Sequence, residues 1–191
     1  MRKIFIFIVV AFMCIGVNAQ GLKSLSYSEV IQVEGSNSDD IYLKLKKWVA
    51  KAFVDANEVT KYDLENKEIF AKGRFPYSTS NLTWASSSGY VSFELDAKIK
   101  DGRFKITLDN FCHHSTALQY SESWSIGLIY DRLPTDEELK QIGQGGLKKT
   151  GYKAIDKRVR PLCEFKVKQI ITDLKIFLLE DAKEKIEDDN W

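Results

Sequence analysis

The 191-residue chain has almost no net charge, its 28 basic and 27 acidic side chains leaving +1. That removes the usual sequence argument for a nucleic-acid or anionic-membrane partner. With three cysteines and two histidines, disulfide and metal chemistry rest on very few positions. No internal repeat, low-complexity tract or interdomain linker is present, which excludes solenoid, collagen-like and wholly disordered readings. What is there is 44% hydrophobic and 29% charged, enough to close one core and too little chain for two typical domains.

The one long apolar run comes first. Arg2 and Lys3 precede Ile4 to Val17, and Val17-Asn18-Ala19 forms a small-x-small cleavage site before Gln20. A signal peptide over residues 1–19 is therefore expected, followed by a single mature domain over residues 20–191 whose 112–160 segment is less regular. The run is shorter than the roughly 20 residues of a spanning helix and polar residues follow at once, so no transmembrane segment is expected after cleavage. Cys14 follows Phe12 and Met13, where a lipobox needs small residues, so it leaves with the leader. Loss of Arg2 and Lys3 turns the charge from +1 to −1. Cys112 and Cys163 remain as a candidate disulfide, which in an oxidising compartment would stabilise the fold by about 4 kcal/mol. The other reading, two free thiols, is favoured by the place of Cys163 on an apolar helix stripe.

A first strand is expected over Leu25 to Val33, then a helix with Ser38 as N-cap and Asp39 and Asp40 in its first turn. Ile41, Leu45, Trp48, Val49, Ala52 and Phe53 recur at helical spacing, with Lys44, Lys47 and Lys51 on a solvated face. Val59 to Leu64 and Ile69 to Tyr77 read as strands joined by a tight turn at Glu65-Asn66-Lys67. Val91, Phe93, Leu95, Ala97 and Ile99 alternate with polar residues, a half-buried fourth strand. Asp101-Gly102 supplies the positive φ angles of a two-residue hairpin, and Phe104, Ile106 and Leu108 continue the apolar face on a fifth strand. Ser78 to Gly89, with Trp84 and the sequon-like Asn81-Leu82-Thr83, reads as a longer loop. Trp124 to Tyr130 is a short strand or buried loop, and Pro134 to Glu138 opens a short helix. A last helix starts at Pro161, with Cys163, Val167, Ile170, Ile171, Leu174, Phe177 and Leu178 on one face. Running to about Lys185, it would be about 37 Å long, enough to cover a sheet.

Three local stretches carry a family resemblance: Val33-Glu34-Gly35, Lys67 to Phe75 with Lys72-Gly73-Arg74 inside it, and Val91 to Phe111 around Lys100-Asp101-Gly102-Arg103-Phe104. Together with the element order and the leader, they resemble the DUF4468 family. The resemblance implies an α+β, TBP-like fold, β-α-β-β-β-β-α, an antiparallel sheet with helices packed on one face, and a periplasmic or secreted place in a bacterial cell envelope. It carries no catalytic or ligand residues over.

Candidate chemistry is sparse. Cys112-His113-His114 groups three metal-ligand types, but adjacent strand residues point to opposite faces and no second ligand pair follows, so solvated or hydrogen-bonded histidines are expected and no metal. No nucleophile motif accompanies the histidines, and Glu94 and Asp96 lack an aromatic sugar platform, so neither catalytic residues nor a cofactor are expected. Gly143-Gln144-Gly145-Gly146 before Lys148 and Lys149 hints at a phosphate loop but lacks P-loop spacing and a preceding strand.

The polar sheet face offers Lys72, Arg74, Lys98, Arg103 and Lys105, with Trp84 and Tyr90 beside it, as a binding surface. In TBP that face binds DNA; secretion and balanced charge argue against nucleic acid here. Two functions fit: a noncatalytic envelope domain that docks a protein or surface glycan on this face, or a small apolar-ligand carrier. The carrier requires a cavity of about 300 Å³ or more between the C-terminal helix and the sheet.

Overall fold

The computed structural model describes residues 21–53, 60–80, 82–116, 124–146 and 148–188. The expected leader, Val59 and Asn81 of the sequon lie outside the described residues. The elements follow as β1 (Tyr27–Gln32), α1 (Ser38–Ala52), β2 (Lys61–Asp63), β3 (Glu68–Tyr77), a 3-10 helix (Leu82–Ser87), β4 (Gly89–Lys100), β5 (Arg103–Ser115), β6 (Gly127–Leu128), α2 (Asp136–Gln141) and α3 (Lys148–Asp188). The sheet is antiparallel in the order β1-β5-β4-β3-β2, with β6 also on β5. The α+β arrangement expected from the sequence is the one observed, with the 3-10 helix added; β6 falls within the expected short strand or buried loop at Trp124 to Tyr130, and α2 follows the expected helix start at Pro134 to Glu138.

β4 shows why. All five of its apolar residues, Val91, Phe93, Leu95, Ala97 and Ile99, are buried, while Ser92, Glu94, Asp96 and Lys98 stand on the other face. Each large side chain so buried stabilises the fold by about 1.5–3 kcal/mol relative to exposure. Ile41, Leu45, Trp48 and Val49 of α1 and the apolar stripe of α3 complete the core. Two side-chain placements expected for α1 change: Lys44 belongs to the buried side, and Ala52, the last helical residue, is exposed.

The hairpin turn and the start of α1 hold each other. Asn37, not Ser38, is the N-cap, its side chain accepting from the Asp40 amide at 2.8 Å. The Ser38 amide donates instead to the Asp101 carboxylate at 2.7 Å, a bond that holds this carboxyl below its usual range. In the turn only Gly102 has positive φ, +71°, so Asp101 keeps an ordinary backbone conformation.

β5 contains a bulge invisible in its pattern. Asn110, at φ 51°, and Phe111 together oppose Phe93, and the buried phase jumps from Phe104, Ile106 and Leu108 to Phe111 and His113. Asparagine suits this left-handed position, and its amide donates to Glu94 at 2.6 Å. Asn110→Ala is expected to destabilise by about 1 kcal/mol and Asn110→Gly by less, measured by urea denaturation. Equal costs would show that the bond to Glu94, not the backbone conformation, holds the bulge.

The last helix starts 13 residues before the expected position, and Pro161 lies inside it. Proline lacks an amide and crowds the preceding turn, so it normally marks a first turn. Here burial upstream outweighs that cost: Tyr152, Ile155 and Val159 are fully buried and extend the stripe of Cys163, Val167, Ile171, Leu174 and Leu178. Arg160 binds Asp156 through both carboxylate oxygens at 2.8 and 2.9 Å and donates to the Tyr130 carbonyl at 2.5 Å, tying the segment after β6 to the helix. At 41 residues α3 is about 61 Å long.

Candidate functional site

The open face of the sheet is an ion-paired lattice. Lys72 bonds Glu94 at 2.8 Å, and this bond, with that from Asn110, holds the Glu94 carboxyl below its usual range. Lys98 lies 3.1 Å from Glu68 and 4.0 Å from Asp96, and the Glu68 bond pushes the ammonium up. Burial raises the Asp96 and Asp109 carboxyls, so they ionise less readily than Glu94. Arg103 and Lys105 are exposed near the hairpin, Lys105 directly opposite Lys98. Arg74 and Tyr90 stand at the far end: the guanidinium lies 5.6 Å over the Tyr90 ring, which stacks on His114 at 4.8 Å. The seven expected surface residues are therefore not one patch. Arg74 and Tyr90 stand together at one end of the face and Lys98, Lys105 and Arg103 toward the other, and the Trp84 side chain lies outside the described residues.

The pleat separates Cys112-His113-His114. Cys112 pairs with Ser92 on the open face, and His114 Nε2 lies 3.0 Å from the Ser92 hydroxyl on that same face. His113 points into the core and is fully buried. Its Nε2–H donates to the Ser87 carbonyl at 2.9 Å, and Nδ1 accepts from the Ile126 amide at 3.2 Å. These partners define one neutral tautomer, and burial holds its pKa below 6.5. The candidate disulfide is not formed. Cys163 lies in the core beneath the helix side of the sheet, its thiol pushed up to about 12 by burial, while Cys112 is half-buried on the opposite face.

The glycine-rich segment ends α2 instead of cradling an anion. Gly143 and Gly146 take positive φ, and the Gly143 and Gln144 amides donate to Lys140 and Leu139 carbonyls. Lys149 pairs with Asp136 on α2.

A concavity lies on the helix side. Among the described residues, β2 pairs with β3 through Glu68–Phe70, and the rest of β3 lies at the margin of the described sheet. Between that margin, the end of α1 and the middle of α3 opens a cleft of about 570 Å³. Trp48, Ala52 and Phe53 line it from α1, Gly73 to Pro76 from β3, Gly89, Tyr90 and Phe93 from β4, and Lys166, Gln169, Ile170 and Asp173 from α3. Its aromatic rings brace one another: Trp48 and Phe53 meet edge-on at 5.9 Å, and Phe93 lies 6.1 Å from Phe53 and 6.0 Å from Phe75. Gly73 forms part of the floor. A Cβ there would lie 2.5 Å from Phe93 Cζ and 2.7 Å from Phe53 Cε1, so only glycine lets both rings rest on the strand. Of the residues singled out in the sequence as a surface, Arg74 and Tyr90 also border this cleft, while their side chains stack on the open face. Trp48, Phe53, Phe75 and Phe93 follow core periodicity, which hid them as lining; the signal available was a glycine inside an otherwise well-formed strand.

Comparison with known proteins gives the same architecture. Residues 27–114 match the family model described as a domain of unknown function, DUF4468, with TBP-like fold. The crystal structure of a TBP-like protein from Parabacteroides distasonis is similar, with 12% identity and a TM-score of 0.51, covering 80% of this chain and 93% of that one. A DUF4468 family protein from Bacteroides ovatus aligns at 15% identity and a TM-score of 0.47, over 81% of this chain and 86% of that one. No curated protein matches. Among the described residues, no helix is long and apolar enough to cross a membrane. The family match ends at His114, so the α3 wall of the cleft lies beyond it.

Proposed function

We propose that this chain, which carries a DUF4468 domain of TBP-like fold, is a noncatalytic binding module of the bacterial cell envelope that seats a small ligand between its helices and the margin of β3. The observation that carries this reading is the cleft of about 570 Å³, which exceeds the size the carrier requires and falls within the range of pockets that enclose small molecules. Trp48, Phe53, Phe75 and Phe93 in its wall are already packed on one another, so binding needs little ordering of those side chains. No nucleophile with an adjacent base lines it, so binding without turnover is the better reading. A second reading, docking of an envelope protein or glycan on the open face, draws support from the Arg74–Tyr90–His114 stack, whose Tyr90 ring is half-buried at the end of the sheet. The balanced ion-paired lattice on that face speaks against nucleic acid.

Native mass spectrometry of the protein isolated from its host's envelope fraction tests the seat. A reproducible noncovalent extra mass is expected, and Ala52→Trp should abolish it. Ala52 is exposed on α1 and lines the cleft, so an indole there fills the space without entering the core. A bare wild-type protein, or an extra mass retained by the variant, would overturn the reading.

A further inference from the structure

We infer that α3 pairs, side by side and parallel, with α3 of a second copy of this chain, through an apolar stripe on the face turned away from the sheet. The inference does not depend on the cleft being a ligand seat. α3 is apolar on two opposite faces. One is the buried stripe of Cys163, Val167, Ile171, Leu174 and Leu178. The other carries the half-buried Leu162 and three large side chains left in the open, Phe165 at 55% exposure, Ile176 at 48% and Leu179 at 46%. A helix that packs on one side only keeps its outer face polar, so a second stripe marks a second contact.

The spacing of the outer stripe is that of paired helices. Leu162, Gln169 and Ile176 recur every seven residues, and Phe165, Thr172 and Leu179 repeat three residues behind them, along about 26 Å of α3. In a parallel pair each position meets its own copy. The apolar residues are then covered toward both ends, and Gln169 meets Gln169 between them, a polar layer that fixes the register at a cost in stability. Within its own helix the Gln169 carbonyl accepts from Lys166 at 2.9 Å, which leaves the amide N–H groups for the second copy.

The flanks of the stripe supply the charge match. Lys168 lies on one edge and Asp173 on the other, five residues further on, the offset at which a parallel pair brings opposite edges together. Symmetry makes two such contacts. Asp173, which also borders the cleft, is exposed and makes no ion pair or side-chain hydrogen bond among the described residues. Lys168 bonds Glu164 of its own helix at 2.8 Å, an exposed pair of little worth that the second copy's Asp173 can replace. Lys175, one heptad later, is held by Glu29 of β1 at 2.6 Å and stays with its own sheet. An antiparallel pair would set the edge of Lys168 and Lys175 against itself, like charge on like.

Sedimentation equilibrium on the purified protein is expected to show a reversible dimer. Ile176→Glu/Leu179→Glu, at exposed positions, should leave a monomer with an unchanged far-ultraviolet circular dichroism spectrum. Lys168→Glu and Asp173→Lys should each weaken association about five-fold or more, since each sets like charges together twice. The double swap Lys168→Glu/Asp173→Lys should restore the wild-type affinity, a readout that holds even where the apolar variant fails to fold. A wild-type monomer, or a dimer that survives Ile176→Glu/Leu179→Glu, would overturn the inference. A double swap no better than the single ones would also overturn it, as would a Lys168→Glu dimer tighter than wild type, the mark of antiparallel pairing.

Discussion

Replacing His113 by alanine is expected to destabilise the protein by about 3–5 kcal/mol, because two buried backbone groups lose their partner and a ring-sized cavity opens beneath Tyr77. Ser87 closes the 3-10 helix, Ile126 leads into β6, and both are bonded to this one imidazole at the end of β5. Tyr77 packs on it edge-to-face at 5.1 Å. His113→Gln keeps one donor and one acceptor and should lose much less. The difference between the variants separates the hydrogen bonds from the packing, measured as denaturant midpoints at constant slope.

The same residue makes stability depend on pH with a definite sign. His113 is neutral in the fold and its pKa is lowered, chiefly by burial, while in the unfolded chain it titrates near 6.5. As pH falls below about 6.5, the unfolded state takes up a proton that the folded state refuses, and stability declines by up to about 1.4 kcal/mol per pH unit until the folded pKa is reached. Protonated Nδ1 could no longer accept from the Ile126 amide. Wild type should therefore lose more stability than His113→Gln between pH 7 and 5. Parallel profiles would show that another group governs this window. Glu138, held at about 2 by Arg132 and the Thr135 amide, contributes its loss only at far lower pH.

What could be read in advance follows from how local each signal is. β4 was legible residue by residue because its two faces meet different solvents over ten positions. The start of α2 was legible because its signals are local, and the capping box the structure adds there, Thr135 with Glu138, joins partners within four residues. The start of α3 was hidden because Pro161 is a strong local stop, while the burial that overrides it comes from contacts with distant strands. The bulge at Asn110 was hidden because one extra residue inverts the alternation for everything after it, so His113 reads as a strand-end residue and is in fact core. The open-face residues were individually placed on the correct side, yet their grouping into one site depended on ion pairs that no alternation pattern encodes. The cleft required four elements, α1, β3, β4 and α3, and its aromatic lining has the same periodicity as a filled core.

Gly73→Ala should destabilise the protein by about 1–3 kcal/mol, the usual range for overpacking, and should also impair ligand binding in the cleft. A Cβ would fall within 3 Å of ring atoms of both Phe93 and Phe53. Phe93 cannot yield easily, because it is the cross-strand partner of Gly73 and stacks on Phe111 at 5.8 Å. Phe53 can: it is only half-buried and caps the end of α1, so its ring is the one that should swing, and it would swing into the cleft. The variant therefore differs from Ala52→Trp, which fills the cleft from an exposed helix position at little cost to the core. Loss of the noncovalent extra mass in both variants, with loss of stability in Gly73→Ala alone, is the expected combination. Unchanged stability and unchanged binding in Gly73→Ala would mean that the two rings do not rest on this glycine. In that case the aromatic floor, and with it the argument for a preformed seat, would fail. The glycine inside β3 thus has a consequence beyond the strand: it brings the rings close enough to close the core on one side and leaves their outer edges as the wall of a cleft on the other.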